Sequence, residues 1–171
     1  MRRILYYMSL FVHAVPATVP KNSKVKYASL ILAGFFVVIA VAQLYSFEEF
    51  PDAIASLWLP GGRAFANLVA ALLVSGEVLA LPFLLFMRLS PAMRIVSMAA
   101  GWCVLIGWVV MSLWVNMTVN SVMNAGVLGA TIPTTPGWWV FALFIAMVIL
   151  MAYISWNTFN WLPRTSKKSE L

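Results

Sequence analysis

Glu77 is the residue of this chain whose type and setting most invite chemistry. It is the single charged residue in the apolar run Ala64 to Met87, about ten residues from its end. That distance, about 15 Å along a helix, puts it near mid-bilayer if the run crosses a membrane. A carboxylate there is costly, and an intramembrane acid is by default a functional candidate. Its flanks, Ser75-Gly76 and Leu79 to Leu81, contain no ion-pair partner. Three chemistries remain open: a neutral acid bonding a neighbouring helix, a group holding a ligand such as a quinone, or a proton relay. At matching depth in later runs stand Trp102, Cys103, Tyr153 and Ser155. Tyr153 and Ser155 are candidate donors to Glu77. Gln43, near the end of the first run, either bonds across helices or sits at the interface. Cys103 in apolar surroundings reads as a quiet thiol. The candidate ligand-binding set is therefore Glu77, Gln43, Tyr153 and Cys103.

Other chemistries find no support. The lone His13 has no metal-ligand neighbour, so no metal site is expected. Phosphate-binding glycine loops, dinucleotide fingerprints, H-E-x-x-H and nucleophile-elbow motifs do not occur. The apolar runs hold no histidine, which argues against haem bound by paired intramembrane imidazoles.

The elements that position these residues are legible. Of 171 residues, 63% are hydrophobic and 9% charged. A soluble domain needs about 25% charged residues to coat its surface. Four runs are long enough to cross a bilayer: Tyr27 to Tyr45, Ala64 to Met87, Ile95 to Val115, and Trp138 to about Leu162. They are continuous rather than alternating, which favours helices over a β-barrel. The expected fold is an all-α, single-domain bundle of four transmembrane helices.

Basic residues orient the bundle. Arg2, Arg3, Lys21, Lys24 and Lys26 precede the first run, Arg88 and Arg94 separate the second and third, and Arg164, Lys167 and Lys168 follow the fourth. Only Arg63 falls on the other side, beside Glu48, Glu49 and Asp52. Both termini should then be cytoplasmic in a plasma or inner membrane. The net charge of +6 thus marks a membrane face, not a nucleic-acid partner. Tyr27, Trp156 and Trp161 suit one aromatic belt, and Tyr45, Trp114, Trp138 and Trp139 the other.

The connections are specific too. Arg2-Arg3 before Ile4 to Val15 looks like a signal peptide, but cleavage would move Lys21, Lys24 and Lys26 to the far side. Residues 1–20 are better read as a helix lying on the inner surface, ended by Pro16 and Pro20. Pro51-Asp52 suits the start of a short outer helix and Pro60-Gly61-Gly62 its stop, with Trp58 dipping into headgroups. The tight stretch Arg88 to Arg94 makes the second and third spans antiparallel neighbours. The stretch from Asn116 to Gly137 is long and uncharged, and Asn116-Met117-Thr118 fits a glycosylation sequon. Pro82 should kink the second span beyond Glu77. Ala71 with Ser75, and Ser97 with Gly101, are small pairs four apart where helices can approach closely.

One segment has a familiar pattern. Ala42-Gln43-Leu44-Tyr45-Ser46-Phe47-Glu48-Glu49-Phe50, a short helix, a span with Glu77, then Leu81-Pro82-Phe83-Leu84-Leu85 resembles the DoxX-like group, including its MauE branch. The resemblance covers roughly residues 27 to 115. It implies a small four-helix membrane protein tied to membrane redox or thiol chemistry. The resemblance leaves the cofactor open: any redox part would lie in a bound quinone or in a membrane or extracytoplasmic redox partner protein. The fit departs at Gln43, where the family often has lysine, a possible charge partner for the acid. The lone Cys103 excludes a self-contained dithiol relay. The leading expectation is an accessory redox subunit holding a quinone-like or lipid group near Glu77. The alternatives are a small proton- or cation-coupled carrier and a structural scaffold.

Overall fold

The structure, a computed structural model, describes residues 22–57, 61–118, 124–130 and 132–158. The expected surface helix at 1–20, Trp58, Trp161 and the tail at 163–171 lie outside the described residues. Among the described residues five helices follow one another: α1 (Ser23–Tyr45), α2 (Phe50–Ala55), α3 (Gly62–Leu84), α4 (Pro91–Thr118) and α5 (Trp138–Thr158). All but α2 are long and apolar enough to cross a membrane. The protein is an all-α, multi-pass membrane bundle.

Its ring order follows from packing. α1 lies against α3 and α5, and α4 against the same two, so α1 and α4 face each other across the diagonal. Successive spans run in opposite directions, so every neighbouring pair is antiparallel. The buried face of each helix repeats at three- and four-residue spacing: Leu32, Phe36, Ile39 and Gln43 on α1, and Ala66, Ala70, Leu73, Glu77, Ala80 and Leu84 on α3. The outward faces carry large apolar side chains such as Val38, Leu72, Val110 and Ile149, which suits lipid and not water. Tyr27 and Trp156 at one end, and Tyr45, Trp138 and Trp139 at the other, point outward.

The bundle has two unlike ends. Lys24, Lys26, Arg88 and Arg94 gather at the basic end, where the α3–α4 turn lies. The other, here the loop end, carries α2, Glu48, Glu49 and an exposed Arg63–Asp52 ion pair at 2.7 Å. Pro51 enters the first turn of α2, whose Phe50 and Ile54 are buried. α2 packs against α3.

Pro82 removes the N–H that would reach the Val78 carbonyl. Ser97 of α4 reinforces α3 at this point. Its hydroxyl accepts from Phe83 N at 3.0 Å and donates to Leu79 O at 2.5 Å. Just beyond, Phe86 takes a left-handed φ of 53° and Met87 N bonds Pro82 O, closing the helix in a 6→1 turn. Ser29 of α1 donates to Leu84 O at 2.6 Å. This stop places the end of α3 three residues earlier than the apolar run suggested, because Leu85 to Met87 form the turn.

Of the two small pairs, one packs. Ser97 and Gly101 are buried, and a Cβ on Gly101 would meet Ala80. Ala71 and Ser75 are exposed. They precede Glu77 by six and two residues, which rotates them ~120° and ~160° from the buried stripe. The close approach on α3 is instead at Gly76, where a Cβ would stand 2.5 Å from Val104. The third expected loop also begins late. α4 runs to Thr118, and the sequon is helical, with Asn116 bonding Ser112 O at 2.8 Å and Thr118 bonding Trp114 O.

Candidate functional site

The four spans converge on Glu77. Its Oε1 accepts from Gln43 Nε2 of α1 at 3.4 Å and from Trp108 Nε1 of α4 at 3.3 Å. Phe144 of α5 stacks on Trp108 with ring centroids 5.3 Å apart and planes within 3°. Gln43 and Glu77 are both wholly buried, and Trp108 nearly so.

Helix direction explains how Gln43, two residues from the end of α1, reaches Glu77, seven residues from the end of α3. Side chains lean toward their own helix N-terminus. In this antiparallel pair Gln43 leans toward the basic end and Glu77 toward the loop end, so they meet between their Cα levels. Glu77 stands ~10 Å along α3 from Leu84, nearer the basic end than the apolar run implied. Its carboxyl group leans back toward the centre.

α1 therefore ends well short of α3 on the loop side, and the segment from 124 to 130 fills the step. Gln43 Nε2 donates a second bond to Val127 O at 3.3 Å. Ala130 N donates to Ser46 Oγ at 2.9 Å. Asn124 organises the segment, accepting from Gly126 N at 2.9 Å and Thr134 N at 3.1 Å and donating to Gly129 O at 3.1 Å. Gly126 and Gly129 have φ of 73° and 72°. A Cβ on Gly129 would come 2.7 Å from Ala42 O, so only glycine fits against the end of α1.

The bonds within the cluster are long, and two of its atoms have no partner. A good N–H···O bond spans 2.7–3.2 Å. All three bonds made by Gln43 and Trp108 exceed that range. Gln43 Oε1 and Glu77 Oε2 are buried without a hydrogen-bond partner. Elsewhere in the bundle the serine bridges of Ser29 and Ser97 span 2.5–3.0 Å. These serine bridges are tighter than the bonds at Glu77.

Beside the cluster on the loop side lies a cleft of about 270 Å³, counted out to its mouth. Trp108, Ser112, Val127, Pro136 and Val140 are among its walls, and Leu57 closes one side. Most of that space is open to the outside, and the enclosed part is only about 10 Å³, room for a single water, so a ligand head group enters only if the walls part.

Of the sequence candidates, the structure brings Gln43 and Glu77 together and leaves Tyr153 and Cys103 outside. Cys103 is exposed, and Tyr153 is 40% exposed on α5. Depth had been matched but not rotation. Cys103 lies five residues from Trp108, ~140° around α4, and Tyr153 nine residues from Phe144, ~180° around α5. Ser155 accepts from Trp102 Nε1 at 3.3 Å and forms a separate α4–α5 link. Trp108, Phe144 and Val127 were missed. Trp108 was accessible, because it follows Gly101 by one heptad on the same face as Ser97. Among the described residues no group of His, Cys, Asp or Glu could hold a metal ion.

The fold and the site together define a multi-pass membrane bundle with a buried carboxyl–amide pair at its centre. No family model, curated protein or solved structure matches the chain.

Proposed function

We propose that the protein is an accessory subunit of a membrane redox system, in which Glu77 and Gln43 hold the polar head of a quinone-like or lipid group. The observation that carries this reading is the pair of unpartnered buried oxygens, Gln43 Oε1 and Glu77 Oε2, on two touching side chains. A purely structural contact in hydrocarbon would be selected to satisfy them. Their chemistry suits a quinone. An amide oxygen accepts from a quinol hydroxyl, and a carboxyl group donates to a carbonyl when protonated and accepts from a hydroxyl when not. The stacked Trp108 and Phe144 offer a flat apolar wall beside the pair. The DoxX-like pattern around Gln43 and Glu77 supports the same reading and suggests that the electrons come from a partner protein. In this reading the basic end faces the cytoplasm.

The test is direct. Protein purified from its native membrane is extracted with organic solvent and the extract analysed for quinones and lipids by mass spectrometry. Wild-type protein should carry a quinone that Glu77→Gln retains poorly. Absence of any quinone from wild type, with partner recovery unchanged in Glu77→Gln, refutes the proposal. A pH-dependent flux in proteoliposomes that disappears in Glu77→Gln would assign the carboxyl to a carrier instead.

A further inference from the structure

The basic end holds a second unsatisfied group, remote from Glu77. Arg94, in the first turn of α4, has its Nη2 buried with no hydrogen-bond partner. Its side chain lines a shallow notch, open to the outside, between the α3–α4 turn and the last residue of α5. Pro82, Phe83, Phe86, Met87, Leu89 and Thr158 form the rest of the wall. A guanidinium carries five donors and no acceptor, and it strongly favours a planar or tetrahedral oxyanion.

Among the described residues no such anion lies nearby. Among the described residues, every carboxylate except Glu77 lies at the loop end: Glu48, Glu49 and Asp52. Lys24, Lys26, Arg88 and Arg94 share the basic end, with no acidic neighbour there among the described residues. The hydroxyl of Thr158 donates to Ile154 O and makes no bond to Arg94. The depth of the notch identifies the source of the missing charge. It lies where α3 stops, α4 starts and α5 ends, which for helices of this length is the headgroup layer. Phe86, Met87 and Leu89 around its rim offer apolar surface to acyl chains, and Arg88 is exposed in the same turn.

We infer that this notch binds the phosphate of an anionic phospholipid, with Arg94 as its principal ligand and Arg88 as the second charge. The site is independent of the Glu77 reading. It fixes the α3–α4 turn against α5 from the lipid side.

The test uses full-length protein in mild detergent, with bound lipid measured by native mass spectrometry. Phosphatidylglycerol should be retained in preference to phosphatidylcholine by wild type, and Arg94→Gln should lower that retention about fivefold, the effect of one cation at a membrane surface. Arg94→Lys should retain an intermediate amount, because the charge stays and the planar fork is lost. Arg63→Gln, at the loop end, should leave retention unchanged. The lipid preference of wild type stands as a readout even if Arg94→Gln fails to fold. Equal retention of the two lipids by wild type, or of phosphatidylglycerol by wild type and Arg94→Gln, overturns the inference. Inorganic phosphate raising the melting temperature as much as phosphatidylglycerol would assign the notch to a free anion and overturn the lipid assignment.

Discussion

Glu77→Gln separates a binding carboxyl group from a structural one. The substitution keeps Oε1, so the donors Gln43 Nε2 and Trp108 Nε1 retain their acceptor at 3.4 and 3.3 Å. It replaces Oε2, which has no partner, by an amide nitrogen that can donate. The unpaired Gln43 Oε1 belongs to the adjoining side chain, so the new donor has an acceptor close by. An interhelical hydrogen bond in a membrane protein contributes ~0.6 kcal/mol on average. The expected stability change therefore lies between zero and a gain of ~1 kcal/mol, or up to ~2–4 °C in melting temperature. Glu77→Leu should behave differently. It strips both donors of their acceptor and leaves the buried Trp108 N–H unpaired, at a cost of ~1–3 kcal/mol. The assay is SDS-titration unfolding in mixed micelles followed by tryptophan fluorescence, with the variants measured beside wild type. A loss above ~2 kcal/mol in Glu77→Gln would refute the reasoning, because the carboxylate would then have a strong cationic partner that the geometry does not contain.

Four further outcomes follow from the packing. Ser97→Ala removes the bridge between Phe83 N and Leu79 O beside Pro82, and should lower stability by ~1–2 kcal/mol in the same titration. Pro82→Ala, which restores an N–H to α3, should reduce that loss in the double variant. Gly129→Ala combines a left-handed φ with a clash against Ala42 O, and should cost ~1–3 kcal/mol and expose the 124–130 segment to proteolysis. Cys103→Ala on the exposed face of α4 should change stability by less than ~0.5 kcal/mol and leave any ligand bound to the Glu77 cluster in place.

How much of this was legible depended on the kind of signal. Span number and element order were written in long uncharged runs, which only helices crossing lipid can satisfy. Helix ends were less legible, since local chemistry sets them. Phe86 turns the chain in a left-handed conformation that no glycine advertises, and α4 continues through an asparagine and a threonine that bond back to their own helix. Depth along the membrane could be counted in residues, but it set Gln43 near the end of its run and Glu77 near mid-bilayer, so their meeting across a step was not legible from depth. Rotation about each helix axis could not be read for α5. Its polar residues do not mark one face, and its apolar residues occur all round. Tyr153 was therefore matched by level while pointing to lipid. Val127 was beyond sequence reading altogether, because its carbonyl reaches Gln43 through a fold of the loop set by Asn124 and two glycines.

That carbonyl makes the amide of Gln43 a divided donor. One nitrogen serves Glu77 Oε1 at 3.4 Å and Val127 O at 3.3 Å, and neither bond is short. A group that draws the amide toward itself weakens both attachments, so occupancy of the Glu77 cluster loosens the 124–130 segment. Gln43→Met conserves length and removes the donor. It should leave the Val127 carbonyl without its side-chain partner and loosen the segment, while the Ala130–Ser46 bond at 2.9 Å still tethers it. Losing one interhelical bond of ~0.6 kcal/mol corresponds to a roughly threefold rise in local opening. Hydrogen exchange should show that rise at the amides of residues 125–129, with the centres of α3 and α4 unchanged. Exchange rising equally across α3 would mean that Gln43 supports the bundle as a whole and does not join the loop to Glu77.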